Sequence, residues 1–293
     1  MINQDIKVNL KDGGYNYPIK ILEEEEALKL SSYYHETKNN NIKKNLIFEH
    51  KFKAHLIFKK INELTKNKKI LDIAESLLGP NILCWNSIIF FKKKYSKTFV
   101  GWHEDKTYWN MDNDKVLTFS IALSNSKIKN GCLKFLKKKR EVDYEILKSK
   151  YNMLARGQNA ILNDKDDYEN IELSPGEACI FGQDAVHGSG ENNSSEDRFL
   201  LAIRYISTDN KTRKNHTTAS LVRGVDDYNF YEHEPVPEKD FDSKCLKFHQ
   251  KLMAKQTEIF AKYKLGKYNL SFLSFIVRSS FVRYIYYLFN KKI

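Results

Sequence analysis

Between Asn81 and about Tyr205 the sequence breaks into short apolar runs, separated by Gly, Asn and Asp turns at intervals of roughly 8 to 20 residues. Chain divided so often cannot form long helices there, and it suits an all-β barrel or sandwich core. Helical spacing brackets this region. It appears around residues 20 to 35, where Glu23 to Glu26 place negative charge in the first turns as the helix dipole prefers, again near 52 to 78, and from about Asp240 to Tyr263. The expected order is therefore helices, then strands, then a helix. With 293 residues, five prolines, no long Gly/Ser tract and no internal repeat, the chain reads as one unit without a linker.

Within the strand region one triplet carries chemistry. Of the eight histidines, only His103 is followed two places later by an aspartate, in His103-Glu104-Asp105. On a strand the outer residues of His-x-Asp point to one face while Glu104 points elsewhere. A third ligand from a distant strand would complete the two-histidine, one-carboxylate set that marks non-heme Fe(II) oxygenases and leaves open coordination positions. His187 is the candidate. It precedes Gly188-Ser189-Gly190 and a polar stretch, Glu191 to Asp197, after which Arg198-Phe199-Leu200-Leu201-Ala202-Ile203-Arg204-Tyr205 reads as a strand returning beside the first. Arg198, eleven positions after His187, would then stand near it across the hairpin. A guanidinium there can grip a planar carboxylate such as the distal one of 2-oxoglutarate, or it can be a surface residue in a salt bridge.

The chain resembles the phytanoyl-CoA dioxygenase family of Fe(II)/2-oxoglutarate-dependent oxygenases, and its bacterial small-molecule branch in particular. The resemblance runs through Gly79-Pro80-Asn81-Ile82-Leu83-Cys84-Trp85, Trp102-His103-Glu104-Asp105 with Tyr108-Trp109, Asn130-Gly131-Cys132-Leu133, Leu154-Ala155-Arg156-Gly157-Gln158, Leu173-Ser174-Pro175-Gly176-Glu177, His187-Gly188-Ser189-Gly190 and Leu221-Val222-Arg223-Gly224-Val225-Asp226. It implies a mainly β fold with flanking helices, the double-stranded β-helix or cupin-like jelly roll. It also implies hydroxylation of a C–H bond of a small metabolite or biosynthetic intermediate, with 2-oxoglutarate and O2 converted to succinate and CO2. Under it, His103, Asp105 and His187 bind Fe(II), Arg198 and Ser189 hold 2-oxoglutarate, and Lys92 stands where relatives often carry a lysine entering the pocket. Halogenating relatives lack the carboxylate ligand, so Asp105 argues for hydroxylation or another oxidation. The same resemblance sets one oxygenase domain over 1–267, with a helical N-terminal region over 1–80, a β-helix core of about 81–207 and a helical C-terminal region over 208–267.

Departures from the family pattern mark the pocket. Glu104 replaces a frequent Gln, Ser120 stands where many relatives have Trp, and Phe135-Leu136-Lys137-Lys138-Lys139-Arg140 replaces a Pro-Gly-Ser-His turn. Trp85, Tyr108 and Trp109 either line a substrate pocket or fill the barrel. Arg156 either binds substrate or fixes a lid.

The formal charge of +12 invites a nucleic-acid reading. Lys92-Lys93-Lys94 and Lys137 to Arg140 are short and lack interleaved aromatics, so solvated faces or an electropositive funnel for anionic substrates fit better than nucleic acid. Cys84, Cys132, Cys179 and Cys245 include no Cys-x-x-Cys pair, and residues 1–7 have no apolar signal core, which together point to the cytoplasm. In the C-terminal segment 268–293, Leu270, Leu273, Val277, Phe281, Tyr284 and Leu288 form a helical stripe. That helix would dock on its own domain, on a second copy in a homodimer, or peripherally on a membrane surface. Two functions from different classes follow: the dioxygenase, and a binding protein that keeps the barrel without oxidation. The expected mark of the second is loss of a ligand, and none is lost.

Overall fold

The computed structural model describes residues 6, 9–11, 13–45, 50–147, 149–154, 157–212 and 217–265, and the side chains of these except 40–45 and 256–265. Arg156 and the helix expected over 268–293 lie outside them. Two antiparallel sheets face each other in the jelly-roll arrangement. The larger places β1 (Tyr15–Lys20), β9 (Glu177–Gly182), β4 (Val116–Ala122), β11 (Arg198–Ser207), β2 (Ile82–Lys92), β12 (Thr218–Arg223) and β13 (Glu232–His233) side by side in that order, with only the β12–β13 pairing parallel. The smaller runs β3 (Val100–His103), β10 (His187–Ser189), β5 (Leu133–Leu136) and β8 (Tyr168–Ile171). A two-stranded ribbon, β6 (Tyr144–Ile146) with β7 (Gln158–Ala160), lies against β3.

Strands β4 and β11 are buried along their whole length, which is why their sequences read as nearly continuous apolar runs. The period of two divides each between different neighbours. Leu117, Phe119 and Ile121 with Phe199, Leu201, Ile203 and Tyr205 pack outward onto the helical cover, including Ile61 and Ile70, and onto Phe58 just before a helix. Ala122 and Leu200 point inward, against Phe135 and Ile171 of the smaller sheet.

The helical cover is built by ordinary end signals. Helix α1 (Glu24–Asn45) opens on three glutamates, α2 spans Lys59–Leu64, and α3 (Lys68–Leu78) begins where the Asn67 side chain accepts from the amides of Lys69 and Ile70. Ile70, Leu71, Ile73, Ala74 and Leu78 form the buried face of α3, each large side chain contributing about 1.5–3 kcal/mol of transfer free energy. A further helix, α5, covers Ser243–Leu265. Among the described residues no helix is long and apolar enough to cross a membrane.

Strands also occur outside 81–207. β1 pairs with β9 on one edge of the large sheet, and β12 pairs with the far side of β2. Regions 1–80 and 208–267 are therefore not purely helical. Pro18 breaks the strand signal of β1, yet an edge position tolerates its missing amide hydrogen.

A buried ionic knot ties these outlying regions together. Glu234 accepts from Lys53, from the Thr218 hydroxyl at 2.6 Å and from the Ser220 hydroxyl at 2.8 Å, and it contacts His55 Nε2 at 2.7 Å. Lys53 also donates to the carbonyl oxygens of Trp85 and Thr218. Burial acts to raise the Glu234 pKa, but Lys53 and His55 outweigh it and hold the carboxyl well below the usual range.

Candidate active site

β3 ends at His103, and the strand geometry expected for the His-x-Asp step does not extend to Asp105. Asp105 has helical dihedrals (φ −64°, ψ −30°) and begins the short helix α4 (Lys106–Trp109). The turn into α4 leaves an Asp105 oxygen 3.7 Å from His103 Nε2. His187, opposite His103 in the β10–β3 register, brings its ring centroid to 4.2 Å from that of His103. One ligand atom from each of the three lies within 4.8 Å of the others, and all three residues are buried.

The hydrogen bonds prepare both imidazoles as ligands. His103 Nδ1 lies 3.0 Å from the Gly101 carbonyl and His187 Nδ1 lies 2.9 Å from the Ala185 carbonyl. A carbonyl only accepts, so each Nδ1 carries a proton, which leaves Nε2 as the atom a metal would take. Burial, reinforced by His103, pushes the His187 pKa down to about 3. Burial would raise Asp105, but Arg204 and the two histidines hold it well below the usual carboxylate range. Two imidazoles and one carboxylate fit a divalent iron. Glu104 points away, bonded to Lys106 and to the Tyr144 hydroxyl, each at 2.7 Å, and so links β6 to this turn.

The expected His187–Arg198 hairpin is replaced by a crossover. β10 belongs to the smaller sheet and β11 to the larger, so Arg198 stands opposite Lys92 of β2 in register. Nor is Arg198 on the surface: it is 1% exposed, its Nε has no hydrogen-bond partner, and burial lowers its pKa to about 10. Lys92 is fully buried and donates to Ser189 Oγ at 2.7 Å and to the Gly190 carbonyl. Burial, then the Arg198 charge, pulls its pKa down to about 6. Gly131 (φ +76°) makes this close approach feasible, since a Cβ there would lie 2.5 Å from the Gly190 carbonyl oxygen. Arg198 and Lys92, with no carboxylate in ion-pair contact among the described residues, form a cradle for an anion.

The lysine clusters divide differently. Lys93 and Lys94 are exposed beside buried Lys92, while Lys137, Lys139 and Arg140 pair with Asp167, Asp184 and Asp166. That second cluster is a solvated, neutralised face and not a funnel. Ser120 is buried opposite Ala202 and Cys179. Trp85, Tyr108 and Trp109 pack in one cluster with Leu83, Val116 and Ile206. Tyr108 also lies 6.0 Å, ring to ring, from His103.

Sequence reasoning missed Arg204. Its Nη2 lies 3.3 Å from Asp105 Oδ2, and its Cζ sits 4.7 Å from the centre of the Trp109 ring. The one signal for it was its even separation of six residues from Arg198, which places both on one strand face.

Comparison with known proteins gives a consistent picture. The profile of the family described as phytanoyl-CoA dioxygenase matches residues 20–200. A probable alpha-ketoglutarate-dependent hypophosphite dioxygenase from Stutzerimonas stutzeri is 29% identical over 204 residues, covering 65% of this chain and 70% of that protein. The solved structure of a non-heme monooxygenase, ThoJ without ligand, superposes with a TM-score of 0.76 at 23% identity, over 86% of this chain and 96% of that one. CytC3 with Fe(II) and alpha-ketoglutarate superposes at 0.63 and 20% identity, over 83% and 96%. At these identities the two structures speak for the fold.

Proposed function

Because this chain belongs to the phytanoyl-CoA dioxygenase family and is an Fe(II)/2-oxoglutarate-dependent dioxygenase, we propose that it hydroxylates a C–H bond of a small molecule and releases succinate and CO2. The observation that carries this reading is the convergence of His103, Asp105 and His187 beside the buried Arg198 and Lys92, which have no carboxylate in ion-pair contact among the described residues. The three triad residues would hold Fe(II). Arg198, Lys92 and Ser189 would hold 2-oxoglutarate by its distal carboxylate. When bound, iron and 2-oxoglutarate supply the oxidative decarboxylation that lets O2 deliver one oxygen atom to the substrate and one to succinate.

The protein's own contribution is placement. Hydrogen bonds to Gly101 and Ala185 hold the two ligand rings, Arg204 orients the carboxylate, and Trp85, Tyr108 and Trp109 would form an apolar wall where the C–H bond lies. Asp105 fills the carboxylate position that a halide needs, which favours hydroxylation. Screening small molecules by succinate release and by a mass gain of one oxygen tests the proposal. Succinate released without an oxygenated product from any stimulating compound would overturn hydroxylation.

Two predictions concern the cosubstrate. Arg198→Ala is expected to weaken 2-oxoglutarate binding by about 1.5–3 kcal/mol, the range for hydrogen bonds to charged groups, seen as a raised KM for 2-oxoglutarate. Lys92 gives a pH dependence. In the free protein it loses its proton above about pH 6, whereas a bound dianion favours the ammonium form. Binding at pH 7.5 should therefore take up a proton, and 2-oxoglutarate affinity should fall as pH rises above 6. Calorimetry in two buffers of different ionisation enthalpy measures that uptake, and Lys92→Met should abolish it.

A further inference from the structure

Arg204 belongs to a row of buried polar side chains that neither the metal ligands nor the cosubstrate cradle uses. In register it lies opposite Thr118 of β4 on one side and Asn86 of β2 on the other. Directly paired residues share a face, so the three form a line across three adjacent strands on the interior of the barrel. All are buried, at 8%, 0% and 4% exposure, and each has a buried atom without a hydrogen-bond partner: Nε of Arg204, Oγ1 of Thr118 and Oδ1 of Asn86. Buried polar atoms are nearly always paired, so three unpaired at one register point to an absent partner.

The rest of the guanidinium is fixed in place. Asp105 holds Nη2 at 3.3 Å and 3.5 Å, and the Trp109 ring supports the plane from one side. Arg198 stands on the same face six residues away, about 20 Å along the strand, so Arg204 marks the opposite end of the barrel interior. Charge makes the same point. A divalent ion, the Asp105 carboxylate and the second carboxylate of 2-oxoglutarate would sum to zero, which leaves the positive charge of Arg204 in excess. Its one carboxylate neighbour is already shared with the metal position.

We propose that the Arg204–Thr118–Asn86 row seats an oxyanion of the primary substrate, making this a dioxygenase for small molecules that carry a carboxylate or a phosphorus oxyanion. Arg204 donates Nε to the anion and the Thr118 hydroxyl donates alongside, while Asn86 Oδ1, an acceptor, takes a hydrogen bond from a donor elsewhere on the substrate. The reading rests on the proposed assignment of the triad, because the anion is thereby held beside the metal with the rest of the substrate against Trp109 and Tyr108.

The test is a calorimetric titration of the protein loaded with Ni(II), which is redox-inert here, and 2-oxoglutarate. The probes are acetate, propionate, methylphosphonate and hypophosphite, with acetamide and propionamide as neutral counterparts. At least one anion should bind while both amides fail. Thr118→Val, which preserves shape, and Arg204→Gln should each weaken that anion about tenfold or more, the size of a lost charge-assisted hydrogen bond. In Thr118→Val, affinity for 2-oxoglutarate should stay within about twofold of wild type, since its anchor lies at Arg198. Binding of no anion, equal binding of an amide, or an unchanged anion affinity in Thr118→Val overturns the proposal. So does a loss of 2-oxoglutarate affinity in Thr118→Val that matches the loss of the probe, which would assign the row to the cosubstrate. Failure of wild type to bind 2-oxoglutarate with Ni(II) would instead bring down the triad assignment itself.

Discussion

The His187→Ala protein, given Fe(II) and 2-oxoglutarate without oxygen, is expected to show none of the weak visible charge-transfer band that the wild type forms. His187 supplies the one ligand that comes from another strand, so its loss leaves a metal with only the two donors of the His103–Asp105 turn. Removing a group that merely supports a ligand costs about 10- to 100-fold in metal affinity, and removing the ligand itself should exceed that. Asp105→Ala is expected to abolish the band and turnover as well, with an added signature. Among the described residues it also takes away the only carboxylate paired with the buried Arg204, and an unpaired buried charge costs about 3–5 kcal/mol. Thermal unfolding of the metal-free variants separates the two: Asp105→Ala should melt well below His187→Ala. A persistent band in His187→Ala would refute its assignment as a ligand.

The largest loss of stability is expected from Glu234→Ala. Its carboxylate answers Lys53, His55, Thr218 and Ser220 at once, and Lys53 and His55 are themselves buried. Truncation strands the Lys53 charge, for about 3–5 kcal/mol, out of a total stability of about 5–15 kcal/mol for an ordinary domain. The denaturation midpoint in urea should fall with little change in slope. The pH dependence follows from the depressed Glu234 pKa. Its stabilisation is present above the ordinary carboxylate value of 4.5 and is lost as pH falls below it toward the folded-state value. Wild type should therefore lose stability below pH 4.5 more steeply than Glu234→Ala. Because Lys53 also holds the carbonyl of Trp85, the variant should loosen the aromatic wall as well.

Several elements of this molecule were legible because their signals are local. The turn-broken region from Asn81 predicts the strand core, and the glutamates at 24–26 and the apolar face of α3 predict helices near where they occur. The β1 strand was not legible, since its Tyr-Asn-Tyr-Pro-Ile-Lys sequence has little apolar alternation and depends on an open sheet edge beside β9. The knot at Glu234 was equally hidden. Lys53 and His55 lie about 180 positions from Glu234, and nothing in their local sequence distinguishes them from solvated residues.

What the sequence determined by itself is chemical identity and strand parity. It names the two histidines and the carboxylate, and it puts Arg198 and Arg204 on one face because six is an even number of residues. The tertiary structure decided which strands are neighbours. A polar stretch after His187 is compatible with a hairpin or with a crossing between sheets, and only burial of both faces of β11 selects the crossing, which takes Arg198 to Lys92 and Arg204 to Asp105. Asp105 shows the same division, for its type was readable, but its turn into α4 depends on the closing of β3 against β10. Side-chain periodicity is set by local backbone geometry, whereas pairing is set by the free energy of a core assembled from distant segments.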